Sequence, residues 1–248
     1  DFYYWDVSGA GAGVEQIKVG PGQMAFAVLR NDPWNADYTG ANSEALTYDA
    51  RYANIPLWQD ASLELGLDYV EPVTSDAQKN ATTGKDLSKG GYVTAELTWG
   101  LLGGFNKTVG QYFLDGLASS ASEYGSGSGS MLQSNSEDGK GYRLINWGVL
   151  PMGDKFEIGH EIVYGASSDF NAWGTDYDDR DTFSIAARPM FKWNDTMKTI
   201  LELGYSHDTQ TIKGSSTETQ HDMQKYTIAQ AWSAGSGFWA RPELRVFA

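Results

Sequence analysis

Short segments in which apolar and polar residues alternate are the feature that most restricts how this chain can fold. In 61–70, Leu63, Leu65 and Leu67 fall on one side of an extended strand, and Glu64 and Asp68 fall on the other. This period of two is typical of strands that separate two environments. Regular or less regular runs of this kind predict about twelve strands, at 1–8, 23–30, 46–54, 61–70, 92–101, 105–115, 142–150, 155–164, 183–192, 197–206, 223–233 and 237–248. The fold class that they predict is all-β.

The connections between these segments alternate in length. The long ones are polar and cover 32–45, 72–91, 116–140, 165–181 and 207–221, whereas the short ones cover 55–60, 102–104, 151–154, 193–196 and 234–237. Hairpins that are long at one end and tight at the other, with strands near the length that crosses a bilayer at a tilt, are typical of transmembrane barrels. A sandwich would not keep this asymmetry, so we expect an antiparallel transmembrane β-barrel.

Tryptophans cluster at the short turns. Five lie in or close to them: Trp58, Trp99, Trp147, Trp193 and Trp232. Amphipathic rings favour the headgroup level of a bilayer, so this row predicts an interfacial girdle at one end of the barrel. Packing in the core of a soluble barrel is the alternative.

Composition excludes several classes of function. The 248 residues carry a formal net charge of −14, which opposes binding to a phosphate backbone, and we expect no nucleic-acid partner. There is no cysteine, and the three histidines have no metal-ligand spacing, so we expect no metal site and no cofactor. No stretch approaches the length of an apolar spanning helix.

Three further segments favour structural interpretations over functional ones. The glycines of 9–13 lack the following helix of a dinucleotide loop and indicate a turn. The acidic run 176–181 lacks the glycine and distal glutamate of a calcium loop and indicates a solvated loop. The repeat at 125–130 indicates a flexible loop tip. No pair of acids and no nucleophile stands out, so we expect no catalysis.

Aromatic residues among charges mark one candidate site. If 237–248 is a strand, Trp239 shares its charged side with Arg241, Glu243 and Arg245, while Phe238 belongs to the apolar side with Ala240, Pro242, Leu244 and Val246. Phe105 shares a side with Lys107 and Gln111 in the same way. A flat ring beside ions suits a sugar, because the ring stacks on the pyranose while the ions bind its hydroxyls. Packing of these rings against inward-folded loops is the alternative.

Four segments, 1–9, 104–107, 188–193 and 239–248, resemble the maltoporin family, in the family's order. The resemblance implies an 18-stranded homotrimeric porin of the bacterial outer membrane that guides malto-oligosaccharides by facilitated diffusion. It further implies that Tyr3 is a constriction tyrosine, that Phe105 and Trp239 belong to an aromatic slide, that Asp1 is a polar-track carboxylate and that Asp6 is an acid near the constriction. Keeping both Tyr3 and Asp6 favours a maltoporin over the related sucrose porins.

The resemblance also implies that the chain is part of a longer one. We expect 1–248 to form a single, partial barrel domain that lacks the family's N-terminal strands and its final strand, because about twelve strands cannot close an 18-stranded barrel. A secreted β-rich carbohydrate-active enzyme, or a porin for sucrose or another sugar, is the alternative function.

Overall fold

One antiparallel sheet of twelve strands forms the described part of the chain. The computed structural model describes residues 3–5, 7–31, 44–73, 87–123, 132–133, 135–172 and 174–248. Each strand pairs with the next in sequence, from β1 at one edge to β12 at the other. The strands are β1 Ala10–Val19, β2 Gly22–Asn31, β3 Glu44–Trp58, β4 Ala61–Val73, β5 Gly90–Leu101, β6 Gly104–Asp115, β7 Lys140–Pro151, β8 Phe156–Ala172, β9 Thr175–Lys192, β10 Met197–Ile212, β11 Glu218–Ser233 and β12 Glu243–Phe247. The expected all-β, antiparallel class is confirmed.

The two faces of the sheet differ as the alternation predicts. Leu67 is 57% exposed, whereas the adjacent Asp68 is fully buried. Chain segments pack over the face that carries Asp68, which we call the inner face, and the face that carries Leu67 is the outer face. Val93, Leu201 and Leu203 are also exposed on the outer face. Apolar residues outside and charged residues inside are the pattern of a transmembrane barrel wall.

Aromatic rings border the outer face at both ends of the strands. At the short connections, Trp58 and Trp193 are exposed, and Trp232 is also on the outer face. At the other end, exposed tyrosines form a second border: Tyr48, Tyr69, Tyr112, Tyr142 and Tyr205. The girdle prediction is wrong for Trp147, which lies on the inner face, where it packs against the Tyr4, Val109, Ile145 and Val163 cluster. Its neighbours Ile145 and Val149 are buried on the same face.

The first predicted strand, 1–8, is wrong. Tyr3–Trp5 form a short 3-10 turn, and β1 instead covers the glycine-rich segment that the sequence assigned to a turn. A Cβ on Gly11 would lie 2.1 Å from the carbonyl oxygen of Val28, so the missing side chain is what allows β1 to pair so closely with β2. Glycines hide a strand from pattern analysis because they have no side chain to alternate, but in β1 they are what the close pairing requires.

Two of the predicted long loops are strand. β8 and β9 extend through most of 165–181 and are separated only by residues 173–174, and β10 and β11 leave only 213–217 between them. The acidic run 176–181 therefore lies in β9. Where strands extend past the apolar band, both faces meet polar surroundings, so the period of two disappears from the sequence although the backbone pairing continues. The segment 125–130 lies outside the described residues.

The last predicted strand begins late. β12 starts at Glu243, and residues 234–242 form a turn, which we call the aromatic turn because it carries Phe238 and Trp239. Pro242 has no N–H to donate to a ladder, which agrees with pairing that begins just after it. Strand parity consequently does not apply to 238–242, although Glu243 and Arg245 do lie on the inner side of β12, opposite Ser233 and Ala231.

Candidate functional site

The Tyr3–Trp5 turn lies across the inner face and makes polar contacts with the sheet. The Tyr4 hydroxyl donates a hydrogen bond to Glu96, which also pairs with Lys107. Burial, which is the larger cause, and the neighbouring Glu96 carboxylate both raise the pKa of Tyr4 above its ordinary range. The phenol therefore stays neutral and remains a hydrogen-bond donor.

Trp5 is held by a second set of charges. Its indole Nε1 donates to Asp68 Oδ2 at 3.0 Å, and the Arg51 guanidinium lies 4.1 Å from the centre of its ring. Arg51 in turn pairs with Asp49 at 2.9 Å. A Cβ on Gly66 would lie 2.0 Å from the Trp5 ring, so only glycine at that position leaves room for the indole.

Arg143 joins two inner segments to the sheet. Its guanidinium donates to the backbone oxygens of Tyr4 at 3.1 Å and Ser120 at 3.0 Å, and to Gln111 Oε1 at 2.8 Å. Ser120 belongs to the second short 3-10 turn, Ala118–Ala121, which is buried against the same face. The cation is itself only 4% exposed. Arg143 therefore holds both 3-10 turns inside the curve of the sheet.

A groove of about 450 Å³ opens on the inner face of β7–β11, beside the aromatic turn. Its wall includes the two rings of the aromatic turn and four charged groups: Phe238, Trp239, Glu161, Arg188, Glu202 and Lys225. Glu202 lies between two cations, paired with Arg188 on one side and with Lys225 at 2.6 Å on the other. Rings beside alternating charges offer a stacking surface and hydrogen-bonding groups together.

The two rings of the aromatic turn meet edge to face. Their centroids lie 4.9 Å apart with an interplanar angle of 68°, and Trp239 is 54% exposed. Phe238 lies on the backbone of Gly159, where a Cβ would come within 2.7 Å of the ring. The Arg188 guanidinium lies 5.9 Å from the centre of the same ring. Phe238 thus belongs to the inner groove and not to the apolar outer side that the sequence predicted.

Phe105 is on the inner face, as its parity predicts. It packs edge to face on Trp147, with centroids 5.2 Å apart, and the Lys107 ammonium lies 5.8 Å from the same tryptophan ring. Trp147 also lines the groove. Trp147, which the sequence assigned to the outer girdle, therefore contacts Phe105 and lines the same groove as the Phe238–Trp239 pair.

The three predicted ions of the last segment are engaged with the protein. The Arg241 Nη1 donates to the backbone oxygen of Ala240 at 2.8 Å, within the aromatic turn. The Glu243 side chain is nearly buried between Lys198 at 2.8 Å and Arg245. Of the remaining predicted residues, Tyr3 contributes its backbone to the 3-10 turn, and Asp1 and Asp6 lie outside the described residues.

Sequence reasoning missed Tyr4, Trp5, Arg143 and Phe238. Tyr4 and Trp5 are adjacent in the aromatic run of residues 2–5, which was the available signal, but a strand would have placed them on opposite faces. Within the described residues, no group of three or more potential ligands is arranged to hold a metal ion. None of the described helices is long and apolar enough to cross a membrane.

An antiparallel meander with an apolar outer face, aromatic borders and a charged inner face defines the wall of a porin-type barrel. Comparison with known proteins agrees: the family model described as LamB porin matches residues 1–248. The chain belongs to the LamB porin family.

Curated relatives match the whole of this chain. It is 45% identical to a protein of Photobacterium profundum named Maltoporin, of which it covers 54%, and 38% identical to Maltoporin of Vibrio cholerae serotype O1, of which it covers 60%. It is 39% identical to Maltoporin of Vibrio parahaemolyticus and covers 83% of that sequence. The chain thus spans little more than half the length of the first two relatives.

Proposed function

We propose that the protein containing these residues is an outer-membrane channel through which maltose and maltodextrins diffuse along a path of aromatic rings flanked by ions. Family membership supports a channel, and the relatives named Maltoporin support this sugar class. The observation that carries the proposal is the groove beside the aromatic turn, where exposed Trp239 lies next to Phe238, Arg188 and Glu202.

The physics of transport favours such a surface. Facilitated diffusion requires several weak sites in series, because one tight site would retain the sugar. An aromatic contact contributes about 0.5–1.5 kcal/mol. Phe105, Trp147, Phe238 and Trp239 supply four rings of this kind on the inner face.

Individual roles follow from placement. In this proposal Trp239 and Phe105 stack on glucosyl rings, and Arg188, Glu202 and Lys225 bind hydroxyl groups. Arg241 and Arg245, which keep partly exposed side chains, serve as flanking ions. The constriction role of Tyr3 and the track roles of Asp1 and Asp6 remain predictions from the resemblance, as do a homotrimeric assembly and contact with outer-membrane lipid.

Of the alternatives, the secreted carbohydrate-active enzyme is not favoured, because the family is one of porins. A porin for sucrose or another sugar differs from the proposal only in its ligand. Single-channel conductance of the full-length protein in planar bilayers, titrated with maltotriose and with sucrose, separates the two. Concentration-dependent block by maltotriose and weaker block by sucrose is expected, and a channel that maltotriose does not block would contradict the proposed function.

Removing the exposed ring is the direct test of the site. Trp239→Ala is expected to cost about 0.5–1.5 kcal/mol of sugar affinity, which is a roughly two- to twelve-fold weaker maltotriose block. Conductance without sugar should change little, because ions do not need a stacking surface. The matched control is Trp99→Ala, whose ring is on the outer face, and it should leave the block constant unchanged. A Trp239→Ala channel with wild-type block would remove Trp239 from the path.

A further inference from the structure

One peptide unit of the aromatic turn is held at both edges by charged side chains. The Gly237 carbonyl oxygen accepts a hydrogen bond from Lys198 Nζ at 2.9 Å. The Phe238 N–H donates to Glu157 Oε2 at 2.7 Å. These two groups belong to the same peptide plane, so a cation and an anion hold opposite edges of one rigid unit.

Both charged residues are themselves neutralised. Lys198 extends from β10, is fully buried, and pairs with Glu243 at 2.8 Å. Glu157 extends from β8 and pairs with Lys192 of β9. Burying a lysine is costly unless its charge is paired and its protons are used, and here Lys198 has both a carboxylate and a carbonyl partner. This arrangement fixes one peptide plane of the turn between two charged side chains of the sheet.

The peptide held in this way directly precedes the two rings. Fixing its plane leaves Phe238 lying on Gly159, with Trp239 edge to face against it. The acceptor for the Phe238 N–H comes from β8, and the donor to the Gly237 oxygen comes from β10. The position of the turn is therefore fixed relative to two strands that both line the groove. A shift in either contact would tilt the exposed face of Trp239.

We propose that Lys198 and Glu157 are positioning residues for the Phe238–Trp239 pair, and that Glu243 acts through Lys198 and not by touching sugar. The inference rests on the proposed sugar channel for its functional consequence. It assigns to Glu243 a different role from the direct contact that the sequence predicted, because the carboxylate is nearly buried between Lys198 and Arg245.

The test uses the full-length protein with maltotriose as the probe. Lys198→Met is expected to weaken the block, by no more than the roughly two- to twelve-fold expected for Trp239→Ala, while sugar-free conductance stays at the wild-type value. Lys198→Arg, which keeps the charge and the donors, should restore most of the block. Lys140→Met removes an exposed lysine at the start of β7 and should behave as wild type.

A double-mutant cycle separates positioning from a general structural effect. If Lys198 acts through the aromatic pair, maltotriose should block the double variant Lys198→Met/Trp239→Ala no more weakly than it blocks Trp239→Ala alone. Additive losses would overturn the proposal. For Glu157, replacement by Leu should weaken the block more than replacement by Gln, whose amide oxygen can still accept from Phe238.

A spectroscopic readout makes the inference independent of sugar binding. These 248 residues contain no cysteine, so Ser236→Cys introduces a single labelling site within them for a nitroxide in the aromatic turn. The label should become more mobile in Lys198→Met, and also in Lys198→Met/Glu243→Gln, which removes both charges if the single variant folds poorly. Unchanged mobility would overturn the inference. Absence of block in the wild type, together with increased mobility in the variants, would contradict the proposed function and leave the positioning role intact.

Discussion

Arg143→Met is expected to lower the free energy of unfolding by about 2–4 kcal/mol and to raise sugar-free conductance. Methionine keeps much of the side-chain volume but has no donors, so Gln111 Oε1 and the Ser120 carbonyl oxygen lose their partners in a buried site. Each buried acceptor left without a partner costs about 1–3 kcal/mol, and the loss of a buried charge offsets part of this. The Tyr4 backbone oxygen still accepts a hydrogen bond from Gln111 Nε2 at 2.9 Å, so its loss of Arg143 adds nothing to this cost.

The conductance change follows from the geometry of the two 3-10 turns. Both are joined to the sheet through Arg143, and releasing them would widen the space above the inner face. Urea titration in detergent measures the stability, and planar-bilayer recording measures the conductance. Arg143→Lys, which keeps one donor group and the charge, should lie between wild type and Arg143→Met. Lower stability with wild-type conductance would show that the turns do not narrow the channel.

Leu203→Arg is expected to destabilise the protein in a bilayer by about 2–4 kcal/mol, because a charge near the middle of the apolar band must leave water. Leu203 is 46% exposed on the outer face of β10, between Ala187 and Tyr226. Equilibrium unfolding of the full-length protein from lipid vesicles gives the free energy.

Thr209→Arg is the matched control for depth. Thr209 is on the same face of the same strand, six residues toward the long connections and beyond the Tyr205 ring. Near the interface an arginine costs only about 0–1 kcal/mol. Equal losses at the two positions would mean that the outer face of β10 does not cross an apolar layer.

The candidate site on the inner face is formed both by strands and by a turn that packs over them. Extended strands alone give a wall lined with charges, and the proposed sugar path also needs rings at particular places along it. Phe105 and Trp147 lie in strands, whereas Phe238 and Trp239 come from the aromatic turn, which the buried Lys198 helps to fix. The site therefore combines rings that belong to the wall with rings that charged residues of the strands hold over it.

The two faces of the wall could be predicted from the amino-acid sequence. The alternation in β4, with Leu65 and Leu67 exposed and Asp68 buried, followed directly from the period of two, since neighbouring residues of a strand face opposite environments. The same rule placed Phe105 on the inner face. The adjacency of β2 to β12 in chain order also followed, because hairpin connections leave sequential strands adjacent.

The places where the rings and their supporting charges meet depend on the tertiary structure and were not predicted. Trp147 was assigned to the girdle by its closeness to a turn, but its contacts with Tyr4 and Phe105 place it inside. Phe238 was assigned to the wrong side because parity applies only within a strand, and its neighbourhood is set by Gly159, Glu157 and Lys198 from other strands. Period-two patterns report a local backbone geometry, whereas contacts between residues distant in sequence depend on how the strands are registered and on which turns fold inward.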